Sequence, residues 1–371
     1  MHETFRNAYA GRKVLVTGHT GFKGSWLSLW LGQLGAEVIG FALEEPPTEP
    51  SHFGVAALAQ RITDVRGDIR DLETLCGLIE THRPEIVFHM AAQPIVLRGV
   101  AEPHLTFETN VMGTANVMES LRRIHGVRAL VSIATDKVYE NQEWLWGYRE
   151  SDRLGGSDPY SASKSMAELA THAYAHTYFP PSKYESHGLA IASARAGNVI
   201  GGGDFACYRI VPDCMRALMN GEPIGVRNPG SIRPWQHVLE PLSGYLWLGA
   251  RLLTEGPAFG GAWNFGPLEQ TGVTTAELAE ELVRQWGSGS WKNVESGFAK
   301  VETGTLRLSW EKAAALLGWR PTYTWKEALS EIVAWFNAFQ RGDDMHAVGE
   351  AHIAAYVERA HALRLPWTAS P

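Results

Sequence analysis

Gly18-His19-Thr20-Gly21-Phe22-Lys23-Gly24 decides the fold of this 371-residue chain. It follows a short apolar run, Lys13-Val14-Leu15-Val16-Thr17. It opens a stretch, Ser25 to Leu34, in which Trp26, Leu27, Trp30 and Leu34 recur at helical spacing. In a strand, glycine turn and helix of this kind the backbone turns tightly and approaches a pyrophosphate, and the helix N-terminus faces that anion with free N–H groups. The glycines are spaced Gly-x-x-Gly-x-x-Gly rather than Gly-x-Gly-x-x-Gly. With the strand before and the helix after, the reading is a dinucleotide site formed by Gly18, Thr20, Gly21, Phe22, Lys23 and Gly24.

The same alternation continues outward. Glu37 to Leu43 and Ile62 to Val65 are strand-like, Asp71 to Thr81 helical, and Ile86-Val87-Phe88 again a strand. Phe107 to Arg123 reads as a long helix, Ala129 to Ile133 as a strand, Ser161 to Tyr178 as a helix and Leu189 to Ser193 as the last clear strand. Continuous apolar strands alternating with helices predict an α/β chain with a Rossmann-type, doubly wound parallel sheet. After Gly197 glycine and proline thicken, with short helical pieces at Pro212 to Asn220, Pro241 to Leu253, Thr275 to Gln285 and Lys326 to Phe339. This predicts a smaller, mixed α/β C-terminal substrate domain. The expected division is 1–197 with 237–266 returning to the sheet, then 198–236 and 267–340 for substrate. Residues 341–371 form a helical tail with no readable role.

Composition narrows the function. There are 33 Lys+Arg against 40 Asp+Glu, a net charge of −7, with 45% hydrophobic and 20% charged residues. Collagenous, coiled-coil and disordered classes are excluded, and an acidic chain is a poor general binder of nucleic acid. Against that balance, Arg195, Arg209, Arg227 and Arg233 cluster within one stretch and predict a locally basic cleft for a small anion. Cys76, Cys207 and Cys214 have no metal or redox spacing and read as reduced thiols packed as small apolar groups, with no metal expected. No secretory or membrane segment is visible, so a cytoplasmic location is the expectation.

The second strand leaves the cofactor choice open. Its ribose position falls on Ala42, with Glu44 and Glu45 just beyond, so NAD is not firmly selected over NADP, and Lys23 and His19 would tolerate a 2′-phosphate. Asp68-Ile69 is an adenine contact or, with Asp71, a polar cluster at a helix start. Tyr160 and Lys164, at i and i+4, share a helix face. An ammonium there, beside a nicotinamide ring, lowers the tyrosine pKa and makes Tyr160 a candidate base for a hydroxyl being oxidised.

Gly18 to Gly24, His89-Met90-Ala91-Ala92-Gln93, Asn110-Val111-Met112-Gly113-Thr114, Thr135, Tyr160 and Lys164 together resemble the extended short-chain dehydrogenase/reductase superfamily, over almost the whole chain. More narrowly, several strings resemble the CDP-glucose 4,6-dehydratase family. They are Gly18 to Leu27, Thr135-Asp136-Lys137 with Tyr139-Glu140-Asn141, Glu143 to Glu150, Arg195 to Asp204 and Arg233 to Tyr245. The resemblance implies a NAD-dependent lyase acting on a nucleotide sugar, with Ala91 and Ala92 joining the cofactor site. It implies that Tyr160, helped by Thr135 and Lys164, deprotonates the sugar 4-hydroxyl. Asp136 protonates the departing C6 hydroxyl, and Lys137 is the C5 base or its partner. TDP-glucose dehydratases carry Asp-Glu where this chain carries Asp136-Lys137, and epimerases carry small hydroxyl residues. An epimerase, or a dehydratase for a TDP- or GDP-sugar, is the alternative. A redox-sensing binding protein of this fold would have lost the tyrosine or the lysine.

For the nucleotide and diphosphate the candidates are Asn198, Arg209, Arg227, Arg233, His237 and Arg307. Gln93 and Arg98 either touch the sugar or are structural. Trp26, Trp30, Trp319 and Trp335 read as core, whereas Trp144 and Trp146 read as part of a substrate loop. The superfamily pairs two long helices between subunits, which implies a homodimer or a dimer of dimers through 107–123 and 161–178.

Overall fold

Seven apolar runs hydrogen-bond into one all-parallel sheet in the computed structural model, which describes residues 4–269, 272–294 and 306–369. In chain order the elements that matter are β1 (Lys13–Thr17), α1 (Phe22–Gln33), β2 (Glu37–Ala42), β3 (Thr63–Arg66), α2 (Leu72–His82), β4 (Ile86–His89), α3 (Gly113–Arg123), β5 (Ala129–Thr135), α4 (Pro159–Thr177), β6 (Ala190–Ala196), α5 (Ile210–Met219), α6 (Leu239–Glu255), β7 (Gly261–Phe265), α7 (Thr275–Trp286), α8 (Trp325–Arg341) and α9 (Met345–Ala362). The sheet order is β7-β6-β5-β4-β1-β2-β3. The order reverses between β1 and β4, and a crevice at such a switch point, outside the strand C-termini, is where ligands of open α/β sheets bind. The Rossmann-type fold is therefore as the glycine motif predicts.

Local chemistry sets the helix starts. Asp71 accepts from the N–H groups of Glu73 and Thr74, Asp158 caps α4 ahead of Pro159, and Thr274 and Thr324 form capping boxes on α7 and α8. The start of α1 differs: its N-cap is Gly21, with no side-chain acceptor, so its first N–H groups remain available to an anion.

One feature departs from the expected elements. The helix read from Phe107 begins earlier, as Pro103–Phe107, and passes through a π turn at Glu108–Met112 before α3. That turn swings Asn110 inward to accept from Gln93 N and to donate to Ser163 Oγ. Within the stretch 237–266, expected to return to the sheet, β7 pairs in parallel with β6 (Ala262↔Ser193).

The core lies on both sheet faces. Helices α2 and α3 cover one with Leu75, Ile79, Val117 and Leu121. On the other, α6 is buried along almost its whole length, and Trp26, Trp30, Trp319 and Trp335 are fully enclosed. The C-terminal residues close over this face. Tyr356 of α9 donates to Glu240 Oε2 at 2.8 Å, and Trp367 stacks on Phe5 at 4.9 Å. Glu240 also accepts from Thr322 N, Thr322 Oγ1 and Tyr323 N. Cys76 and Cys214 are buried, but Cys207 is exposed, which corrects the reading of all three thiols as packed groups. Among the described residues no helix is long and apolar enough to cross a membrane, and no three side chains are grouped to hold a metal ion.

Candidate active site

The C-terminal ends of β1, β4, β5 and β6 meet at one crevice, and each carries a singled-out segment. Gly18 leaves β1 with φ +74°, a backbone that favours glycine, and a β-carbon there would come within 2.8 Å of Ala91. A β-carbon on Gly24 would come within 2.2 Å of Gly18 O. These contacts draw the glycine turn against Ala91 beside the uncapped start of α1. Thr17 Oγ1 accepts from Met90 N and Ala91 N and lies 2.8 Å from His89 Nδ1, and His89 Nε2 lies 3.0 Å from Thr114 Oγ1. Burial, with Lys164 nearby, pushes the His89 pKa down to about 3, so it is a neutral bridge holding the turn after β4. This narrow, donor-rich backbone cradle fits a dinucleotide pyrophosphate.

On the other side of the crevice, a cleft of about 380 Å³ is lined by Phe22, Lys23, Thr135, Asp136, Lys137, Tyr160, Asn198, Arg209, Arg227 and Arg233, with Pro94 to Leu97, Tyr208 and Trp235. Thr135 ends β5; its hydroxyl donates to Asp136 Oδ1 at 2.9 Å and accepts from Lys137 N at 3.3 Å. Burial pushes the Asp136 pKa up, against the pull of Lys137, Thr135 and Arg233, and so favours a carboxyl that keeps its proton. Tyr160 is pushed up to about 12, by burial first, with a Thr135 hydrogen bond pulling the other way. Lys164 donates to Ile133 O at 2.9 Å, and burial lowers its pKa to about 8. In the protein alone burial, with Asp136 and Asp158, thus holds the Tyr160 pKa high, whereas the depression expected of Lys164 is one expected beside a nicotinamide ring.

Other residues fall elsewhere than expected. His19 is buried, with Nε2 2.8 Å from Asp64 Oδ1, so it is not free to take a 2′-phosphate. Lys23 faces Lys164, Arg209 and Asp136 at the cleft; burial, then those cations, brings its pKa down to about 7. Neither residue supports NADP. Ile69 is core, packed where Gly113 leaves room. Asp68 is engaged by Arg70, with Nη2–Oδ2 at 2.6 Å, on a separate open hollow that includes Glu108 and Met112. His237 is buried and packs against Tyr323, outside the cleft lining. Gln93 spends its side chain on Thr106 and Ile95 N, and Arg98 pairs with Glu102 on the surface. Arg307 donates to Leu145 O, away from the cleft lining. Arg195 also leaves the basic cluster: it is buried and paired with Glu168.

Arg209 is braced by Asp204 at 3.2 Å and Arg227 by Asp213 at 3.5 Å. Sequence reasoning missed Tyr208 and the Pro94 to Leu97 wall. Nothing in their spacing marks them, since they come to one cleft only in the folded chain.

Comparison with known proteins agrees with this geometry. A model of the NAD dependent epimerase/dehydratase family matches residues 14–258. The chain is 47% identical over 352 residues to a CDP-glucose 4,6-dehydratase of Salmonella typhimurium, covering 95% of this chain and 98% of that one. It is 28% identical over 342 residues to a dTDP-glucose 4,6-dehydratase of an Actinoplanes species, covering 88% and 98%. Among solved structures, a dTDP-glucose 4,6-dehydratase from Streptomyces venezuelae with NAD bound superposes with a TM-score of 0.74 at 26% identity, covering 90% of this chain and 99% of that one.

Proposed function

The chain belongs to the NAD dependent epimerase/dehydratase family, and on that premise we propose that it is a CDP-glucose 4,6-dehydratase. It would oxidise the sugar at C4, eliminate water across C5 and C6, and end with the hydride on C6. The observation that carries this reading is the Thr135-Asp136-Lys137 turn facing Tyr160 across the cleft, in a chain 47% identical to a CDP-glucose 4,6-dehydratase.

The glycine turn, Ala91, Ala92 and the start of α1 would hold NAD. Bound there, NAD would supply a hydride acceptor for C4 and a hydride donor for C6. Tyr160 accepts the 4-hydroxyl proton, aligned by Thr135; its pKa, held high by burial, would come down beside an added positive charge. The C4 ketone then acidifies C5–H. Asp136 gives its proton to the departing C6 hydroxyl while Lys137 takes the C5 proton, directly or through a partner, and a proton finally returns to C5. Arg209, Arg227 and Arg233 would meet the diphosphate with planar forks, and Asn198 lines the same cleft. The exposed side chains of Met112, Met166 and Leu169 on the helices around α4 support pairing with a second copy of the chain.

The test is direct. Purified protein with NAD is offered CDP-, UDP-, TDP- and GDP-glucose, and products are weighed by mass spectrometry. Loss of one water from CDP-glucose ahead of the others is expected. An epimer of unchanged mass would overturn the dehydratase reading, and preference for TDP-glucose would overturn the base assignment.

A further inference from the structure

Arg195 stands on β6 with its backbone in register with Ala134, next to Thr135, and its side chain turned away from the cleft. Glu168 of α4 binds it fork to fork, Nε–Oε1 2.7 Å and Nη2–Oε2 3.0 Å, and both side chains are almost completely buried. Arg195 Nη1 also donates to the Tyr139 hydroxyl at 2.7 Å and to Glu150 O at 3.2 Å. Tyr139 donates in turn to Asn264 Oδ1 at 2.8 Å, and Asn264 donates to Glu150 Oε1 and Tyr148 O. One guanidinium therefore joins α4, the segment that follows Asp136-Lys137, and β7. Buried ion pairs are a poor source of stability, because desolvation cancels most of the attraction. The place of this pair matters more: Tyr160, Lys164 and Glu168 follow one another at i, i+4 and i+8 on one face of α4.

We propose that Glu168, clamped by Arg195, is a positioning residue that sets α4 at the height where Tyr160 meets Thr135 and keeps Lys164 an ammonium. This rests on the roles given above to Tyr160 and Lys164. Lys164 faces Lys23 of α1 and neutral His89 of β4, with Tyr160 and Glu168 on its own helix. Glu168 is the anion that acts on it, raising a pKa that burial lowers. Around the pair itself stand Tyr139, Glu150 and Lys312. Arg195 tempers the Glu168 charge, so the two partners push Lys164 in opposite directions.

The test follows the carbon-13 shift of the Lys164 Cε against pH in lysine-labelled protein, assigned by its loss in K164M. Glu168→Gln should lower the Lys164 midpoint and Arg195→Met should raise it, each by about half a pH unit or more. The alkaline limb of kcat/KM should move the same way. Glu168→Asp and Arg195→Lys, which keep both charges and disturb the fold least, should leave the midpoint closer to wild type than Glu168→Gln and Arg195→Met do. A pair that serves only as fold glue would lower Tm in every variant yet leave the midpoint in place or move it in one direction, and either result overturns the proposal. Wild-type protein that titrates as expected but leaves CDP-glucose unchanged would count against the dehydratase reading alone.

Discussion

The Asp136 carboxylate lies against the α-carbon of Gly197, where any β-carbon would sit 2.8 Å from Oδ2. β5 and β6 run side by side with Thr135 in register with Ala196, so the turn after one strand and the turn after the other share a single space. The proposed acid has its place because the neighbouring strand ends in a residue without a side chain.

Gly197→Ala should therefore cost activity without unfolding the protein. The added methyl displaces Asp136, and misplacement of an acid by less than an ångström costs about tenfold to a hundredfold. Steady-state dehydration together with Tm checks this: kcat should fall in that range with Tm nearly unchanged.

Asp136→Asn separates oxidation from elimination. The amide keeps the shape and the Thr135 contact but has no proton to give a leaving hydroxide. Net dehydration should drop by about a hundredfold or more, while single-turnover absorbance still shows reduced nicotinamide forming from CDP-glucose. Full dehydratase activity in this variant would remove Asp136 as the acid.

Glu240 predicts the pH dependence of stability. Burial raises its pKa to about 7 despite hydrogen bonds from four donors, Thr322 N, Thr322 Oγ1, Tyr323 N and Tyr356 OH. An acid with a raised folded pKa binds more protons folded than unfolded between the unfolded value and about 7. Its contribution is therefore fullest below the ordinary carboxylate range and fades as pH rises through about 7. Glu240→Gln should flatten this slope: in urea unfolding at pH 5 and pH 8, wild type should lose more stability than the variant, by about 1–3 kcal/mol.

The thiols report the cleft mouth. Cys207 is exposed beside Tyr208 and Arg209, which line the cleft, while Cys76 and Cys214 are buried. A chromogenic thiol reagent should modify Cys207 alone in native protein and all three thiols in denaturant. CDP-glucose should slow the native reaction, and equal rates with and without it would argue against nucleotide sugar lying near Arg209.

Much of the site was legible because it is local. The glycine turn, Tyr160 with Lys164, and Thr135-Asp136-Lys137 each need only a strand end or a helix face, and residue spacing encodes those. His237, Gln93 and Arg307 fall outside the cleft lining for a different reason. A polar residue in a suggestive string looks the same in sequence whether its side chain faces a ligand or, like Gln93, is spent on Thr106 and Ile95. The high Tyr160 pKa of the protein alone was not legible, because desolvation depends on every atom packed around a group and not on one lysine four residues on.

By itself the sequence determined the succession of parallel strands and helices, the glycine turn and which residues stand at the strand ends, since apolar periodicity and glycine spacing act over a few residues. Tertiary structure alone decided which charges face the cleft. Arg195 and Arg209 are both arginines of one basic stretch, yet one is buried against Glu168 of a distant helix and the other stands in the cleft beside Asp204. The strand that ends in Ala196 leaves Arg195 on the covered side of the sheet, and the loop beyond Gly197 carries Arg209 out over its edge. Which side of the sheet an arginine meets is fixed by strand pairing and loop path, and residue spacing does not record either.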